Sequence, residues 1–273
     1  MRLRILLLLL IYFQAYFAYG QKATSSCYEP INVGFNSWAP YSWLDSAGKP
    51  VGLDVDMLTI VADNLGCKLN FIDMPVKRAH RMLQEGTLDI MMGASYRPER
   101  EAYADFSVPY RDEEIKLFVK SDLASQIKID KWQDIFSQKL VLLAPIFGWY
   151  GADFLASEQA LIKQKLLIFS RNATQSIRML GYGRGDVVIG DSIAVPYIAT
   201  QIERISVTEL PLVLDHNQIH FLISKKTTNP ELITGINQSI KRLSGRGELA
   251  QVIVKWQQIS IAKTQETSGK VPL

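Results

Sequence analysis

Arg100 and Ser95 are the residues whose types and settings best fit the capture of an anionic small molecule. Leu88 to Met92 is a short apolar run that reads as a buried strand, followed by the small residues Gly93, Ala94 and Ser95. Small residues leave backbone N–H groups approachable at a strand's carboxyl end, where ligands of open α/β sheets sit. Pro98 then opens a helix that delivers Arg100, so an anion would meet both a guanidinium fork and a helix N-terminus. That is the layout of a carboxylate clamp. A surface arginine pairing with Glu99 or Glu101, and a plain strand-end turn at Ser95, are the bland alternatives. Asp191 ends a second apolar run, Val187 to Gly190, just ahead of a helix. As the N-cap of that helix it would need no functional role at all.

The elements that must position these groups alternate regularly. Ile31 to Phe35, Lys68 to Ile72 and Leu88 to Met92 have strand character, separated by helices over Asp54 to Leu65, stopped by Gly66, and Val76 to Glu85, stopped by Gly86. This βαβαβ order implies a mainly parallel sheet. Ile115 to Val119 leads into a second alternating block: strands at Leu140 to Ala144, Leu166 to Phe169 and Val187 to Gly190, with helices at Gly151 to Gln159, an Asn172-capped segment to Leu180, and Ser192 to Gln201. A second sheet is implied. Ile219 to Ser224 is a further strand, and Asn229-Pro-Glu231 is a helix start with cap, N1 proline and acidic first turn. Helices near 230 to 243 and 246 to 258 close the pattern before a polar tail over 258–273.

The amino terminus reads as an export signal over residues 1–20. Met1-Arg-Leu-Arg4 is basic, Ile5 to Phe13 is apolar, and Ala18-Tyr-Gly20 places small residues where a signal peptidase cuts. The apolar run is short for a bilayer span of ~20 residues, and Cys27 lies too far on for lipoprotein processing. The chain carries 30 basic and 27 acidic residues, and loss of Arg2 and Arg4 brings it closer to neutral. That balance argues against a nucleic-acid or membrane-surface partner. Cys27 and Cys67 are an even pair in an exported chain, which suggests a disulfide. Each precedes a predicted strand, so neighbouring strands would bring them together. No CxxC, GxGxxG or Walker A run occurs, and His80, His216 and His220 show no metal-ligand spacing, so neither a cofactor nor a metal is expected.

The run from Gly86 through Asp89, Ser95, Glu99-Arg100 and Ala104-Asp-Phe-Ser-Val-Pro-Tyr110 resembles the bacterial family 3 extracellular solute-binding proteins, the periplasmic receptors that feed polar amino acids to ABC importers. Gly52-Leu-Asp-Val-Asp-Met57, Gly183-Arg-Gly-Asp-Val-Val-Ile-Gly-Asp191, and Gly245-Arg-Gly-Glu-Leu with Lys255-Trp256 continue the resemblance. It implies a type II periplasmic-binding-protein fold with two lobes, one over 21–118 plus 219–257 and the other over 119–218, hinged at Ile115 to Lys120 and Gln218 to Ser224. It also implies that Arg100 grips a ligand α-carboxylate, that Ser95 and Gly93 complete the cradle, that Asp191 holds the α-ammonium, and that Trp38 stacks on the ligand. Core packing is the competing role for the aromatics Trp38, Tyr41 and Trp43.

Two features depart from the family pattern. Pro145-Ile-Phe-Gly-Trp-Tyr-Gly151 replaces the usual anion turn, leaving Gly148 and Trp149 as candidate ligand contacts. Arg78 adds a cation near the expected cleft rim, or lies on a solvated helix face. The implied activity is non-catalytic capture of a polar amino acid by a monomer that docks on an inner-membrane ABC permease. Periplasmic dehydratases of the cyclohexadienyl type also resemble this family, and His80, Glu99 and Asp191 are the candidate acids for such an enzyme. A ligand-sensing module for a membrane signalling partner would share the same cleft.

Overall fold

The computed structural model describes residue 27, residues 29–146 and residues 148–268, with side chains through Ile259. The proposed export signal lies outside the described residues.

Strands β1 (Ile31–Phe35), β4 (Leu69–Asp73) and β5 (Ile90–Ser95) form the first parallel block, with β1 central. The short β2 (Trp43–Leu44) and β3 (Pro50–Val51) pair with each other. Helix α1 (Leu53–Asp63) buries Leu53, Met57, Leu58 and Val61 against this block. Helix α2 (Val76–Glu85) ends at Gly86, whose left-handed backbone (φ 79°) suits a residue without a Cβ. Register between β1 and β4 sets Ile31 opposite Leu69, so the chain entries to these strands lie side by side and Cys27 and Cys67 form a disulfide with Cα atoms 5.3 Å apart.

After β6 (Ala104–Phe106), the long β7 (Arg111–Lys120) leads through the single turn α3 (Asp134–Ser137) into the second block. That block contains β8 (Leu142–Pro145), α4 (Ala152–Lys163), β9 (Leu167–Ser170), α5 (Ala173–Gly181) and β10 (Val187–Asp191). Asn172 caps α5 by accepting from the Gln175 amide. Helix α6 (Ala194–Tyr197) continues as a π-helical turn, Ile198–Glu203. The eighteen-residue β11 (Val207–Ser224) returns the chain, α7 (Pro230–Gly245) starts at the Asn229 cap, and α8 (Glu248–Ser268) remains helical well past position 258.

The two blocks do not form separate sheets. Hydrogen bonding runs through one nine-stranded sheet in the order β4-β1-β5-β11-β7-β10-β8-β9, with β6 on β11. The cause is the length of β7 and β11. β7 pairs antiparallel with both β10 and β11, while β11 pairs with β7 over its first part and with β5 and β6 over its last. Ile219 marks the change, standing opposite Arg111 on one side and Ser95 on the other. Both segments expected as hinges therefore fall inside these two strands.

Candidate functional site

A cavity of about 590 Å³ opens where the carboxyl ends of β5, β8 and β10 approach the β7–β11 pair. Side chains alternate between the faces of a strand. Glu113 and Ile115 of β7, with Asp215 and Asn217 of β11, therefore line this cavity together. The ladder sets Glu113 opposite Asn217 and Ile115 opposite Asp215.

Asp191 forms part of the cavity wall at the end of β10. Its Oδ1 accepts from the Ile193 amide at 2.9 Å, the Ala194 amide at 2.6 Å and the Tyr41 hydroxyl at 2.5 Å. Asp191 thus braces the turn that leads into α6, whose N-cap position is Ile193, and does so with one oxygen. Oδ2 is buried and has no hydrogen-bond partner among the described residues. Burial raises the Asp191 carboxyl above the usual range, against the lowering effect of the Tyr41 and amide hydrogen bonds and of the Arg111 charge.

Ser95 and Trp38 line the same cavity, but Arg100 and Gly93 line a smaller one of about 190 Å³ on the first block. Trp38 is common to both walls, 40% exposed and 4.7 Å from the Tyr41 ring. Arg100 is tied to the larger cavity's wall through Ser95, donating from Nη1 to the Ser95 carbonyl at 3.2 Å. It sits on a five-residue 3₁₀ turn, Pro98–Ala102, rather than on an α-helix, so the helix N-terminus expected beside it is absent. The Gly93 amide is not free for a ligand either, because it donates to the Tyr110 hydroxyl at 3.0 Å.

Gly148 and Trp149 line the large cavity, and the Trp149 indole donates to Asp215 Oδ2 at 2.8 Å. Arg78 is exposed on α2 and borders neither cavity. Tyr41 is fully buried and Trp43 packs against Tyr197 and Trp256, so core packing accounts for those two aromatics and not for Trp38. The three candidate acids do not converge. His80 lines the small cavity, where burial and then Arg100 lower its pKa, Asp191 lines the large one, and Glu99 is exposed.

Several central residues escaped the reading of the sequence. Arg111 is fully buried and binds Asp54 in a two-pronged pair, Nε to Oδ1 at 2.7 Å and Nη2 to Oδ2 at 3.2 Å. Its guanidinium carbon lies 4.1 Å from the centre of the Tyr41 ring. Burial alone would lower the Arg111 pKa; Asp54, Tyr41 and Tyr110 outweigh it and leave the pKa raised. Burial first, and Asp191 second, push the Tyr41 phenol well up. Glu113 is raised to about 7 by burial and then by Asp191, with Arg111 opposing and Asp54 and Asp215 adding to the rise. Asp54 lies in the Gly52–Met57 segment, and Arg111 directly follows Tyr110 at the end of the Ala104–Tyr110 segment. A charge beside an apolar run reads as solvent-facing until the partner that buries it is known.

Residues 31–259 match the bacterial extracellular solute-binding proteins, family 3. The chain belongs to this family. A probable amino-acid ABC transporter-binding protein of Haemophilus influenzae is 25% identical over 222 residues, 81% of each chain. The cyclohexadienyl dehydratase of Pseudomonas aeruginosa is 27% identical over 158 residues, 57% of this chain and 56% of that one. Among solved structures, an ancestral cationic amino acid solute-binding protein superposes with a TM-score of 0.67 at 27% identity, covering 83% of this chain and 95% of its own. The architecture is that of a type II periplasmic-binding-protein fold, mixed α/β with helices flanking a large sheet.

Proposed function

We propose that this family 3 protein is an exported periplasmic receptor that captures an amino acid between its two halves and presents it to an ABC importer. The observation that carries the reading is Asp191 Oδ2, a buried, unpartnered carboxylate oxygen on the wall of a cavity large enough for a small ligand. A buried acceptor left unsatisfied is costly, and a ligand ammonium supplies the missing donor. Arg100, held against Ser95 in the adjoining smaller cavity, is the complementary group for the α-carboxylate. A zwitterion meeting both favours the arrangement that joins the cavities, because only there are both of its ends satisfied. The relatives that bind amino acids for ABC transporters support the importer as partner.

The test is a thermal-shift and calorimetric screen of the common amino acids on the mature chain. At least one is expected to raise the melting temperature, and Arg100→Ala and Asp191→Asn are expected to abolish that rise. A panel without a single binder would overturn the reading.

A dehydratase activity is the second reading, motivated by the position of Glu113, an acid on the cavity wall whose pKa burial raises to about 7. The receptor reading expects no turnover of prephenate or arogenate. Turnover that Glu113→Gln abolishes would replace it.

A further inference from the structure

We propose that Glu113 and Asp215 form a receptor for a second cation, carried on the side chain of the amino acid, so that the cavity selects dibasic ligands. This rests on the preceding reading, in which Asp191 takes the α-ammonium and Arg100 the α-carboxylate.

The cavity wall holds three carboxylates, Glu113, Asp191 and Asp215, against one guanidinium, that of the exposed Arg97. None of the three is in an ion pair among the described residues. Arg111, the buried cation closest in charge effect, is already committed to Asp54. Asp215 is positioned by neutral donors only: the Trp149 indole at 2.8 Å and the Asn217 amide at 2.7 Å, both to Oδ2. Its other oxygen accepts no hydrogen bond among the described residues. A strand pair that spends alternate positions on two acids, fixes one of them, and supplies no countercharge is arranged for a cation from outside. Trp38, Trp149 and Tyr150 line the same space, and aromatic faces suit both a methylene stem and a guanidinium plane. An amino acid with a neutral side chain would leave the pair uncompensated.

Charge linkage adds a second signature. Glu113 faces Asp191, Asp215 and the Asp54–Arg111 pair, and its pKa is raised to about 7. A bound cation favours the ionised form, so binding releases a proton and affinity rises with pH through that value. Tyr41 and Tyr150, both raised, stay protonated throughout.

Calorimetry of the mature chain with L-arginine, L-lysine, L-glutamine and cadaverine tests the proposal. L-Arginine or L-lysine is expected to bind at least about tenfold more tightly than L-glutamine. The dibasic-to-glutamine affinity ratio is expected to fall about tenfold or more in Glu113→Gln and, independently, in Asp215→Asn. Affinity for the dibasic ligand should rise from pH 6 to 8 in the parent chain and not in Glu113→Gln. Cadaverine, lysine without its carboxyl group, should bind far more weakly than L-lysine. If L-glutamine binds the parent chain as tightly as L-arginine, or the ratio survives both substitutions, the second-cation proposal fails while the receptor reading stands. If cadaverine matches L-lysine, the amino acid identity of the ligand fails with it.

Discussion

The Tyr41 hydroxyl donates to Asp191 Oδ1 at 2.5 Å across 150 positions of sequence, while the face of the same ring carries the Arg111 guanidinium. Asp54, Arg111, Tyr41 and Asp191 thus form one buried chain of charge and hydrogen bonds. It runs from the start of α1, through the first residue of β7, to the end of β10. The acid proposed to hold the ligand is therefore positioned by a residue 150 positions earlier in the chain.

Tyr41→Phe keeps the ring under Arg111 but removes the donor to Asp191. A hydrogen bond to a charged group contributes about 1.5–3 kcal/mol, so stability in urea is expected to fall by about that amount. An unchanged denaturation midpoint would show that the bond contributes nothing.

Asp54→Asn leaves the fully buried Arg111 guanidinium without its countercharge. Breaking one side of a buried pair costs about 3–5 kcal/mol, whereas replacing both members by apolar residues is often close to neutral. Asp54→Leu with Arg111→Met is therefore expected to be more stable than Asp54→Asn alone. The reverse order in chemical denaturation would contradict this account of the pair.

Glu113 makes the unliganded fold pH-dependent in an unusual direction for a carboxylate. Its folded pKa of about 7 lies above the unfolded value, so the native state binds more protons between the two. Stability is then fully present below the unfolded value and is lost as pH rises through 7, by up to about 3 kcal/mol. Denaturation curves at pH 5 and pH 8 should show the loss, and Glu113→Gln should remove it. Equal slopes in the two proteins would rule Glu113 out as the source.

Cys27 and Cys67 close a loop of 40 positions onto neighbouring strands. Replacing both by serine is expected to cost up to about 4 kcal/mol in the chain-entropy model. The loss should appear chiefly in global stability, since neither residue lines a cavity described above. Equal stability of the oxidised and double-serine chains would refute it.

Arg100→Lys keeps the charge but loses the planar fork that matches a carboxylate. Ligand affinity is expected to fall by about tenfold or more, corresponding to one charge-assisted bond. Undiminished affinity would show that Arg100 does not hold the ligand and would turn attention to Arg97, which borders the larger cavity.

Much of the fold was legible because its signals are local. Gly86 ends α2 and Asn229 with Pro230 starts α7 through backbone geometry and capping bonds that involve only nearby residues. Asp191 could be placed at a strand end before a helix for the same reason, and Ser95 at the end of β5. The separate second sheet was not borne out, because whether two blocks share hydrogen bonds depends on how far β7 and β11 extend past each other. Nothing within either segment states that length.

By itself, the sequence determined the alternation of the main strands and helices, the family, and the acid at the end of β10, since periodicity, caps and motif spacing are properties of contiguous residues. It did not determine β2, β3, β6 or the first part of β11. Only the tertiary structure decided that Arg100 and Asp191 line different cavities with Trp38 common to both, that Arg111 is buried on Asp54, and that Glu113 and Asp215 share one wall. The reason is physical: burial, pairing and pKa depend on which distant groups approach through low-dielectric space, and alternation along a strand gives two faces without saying which one will meet the ligand.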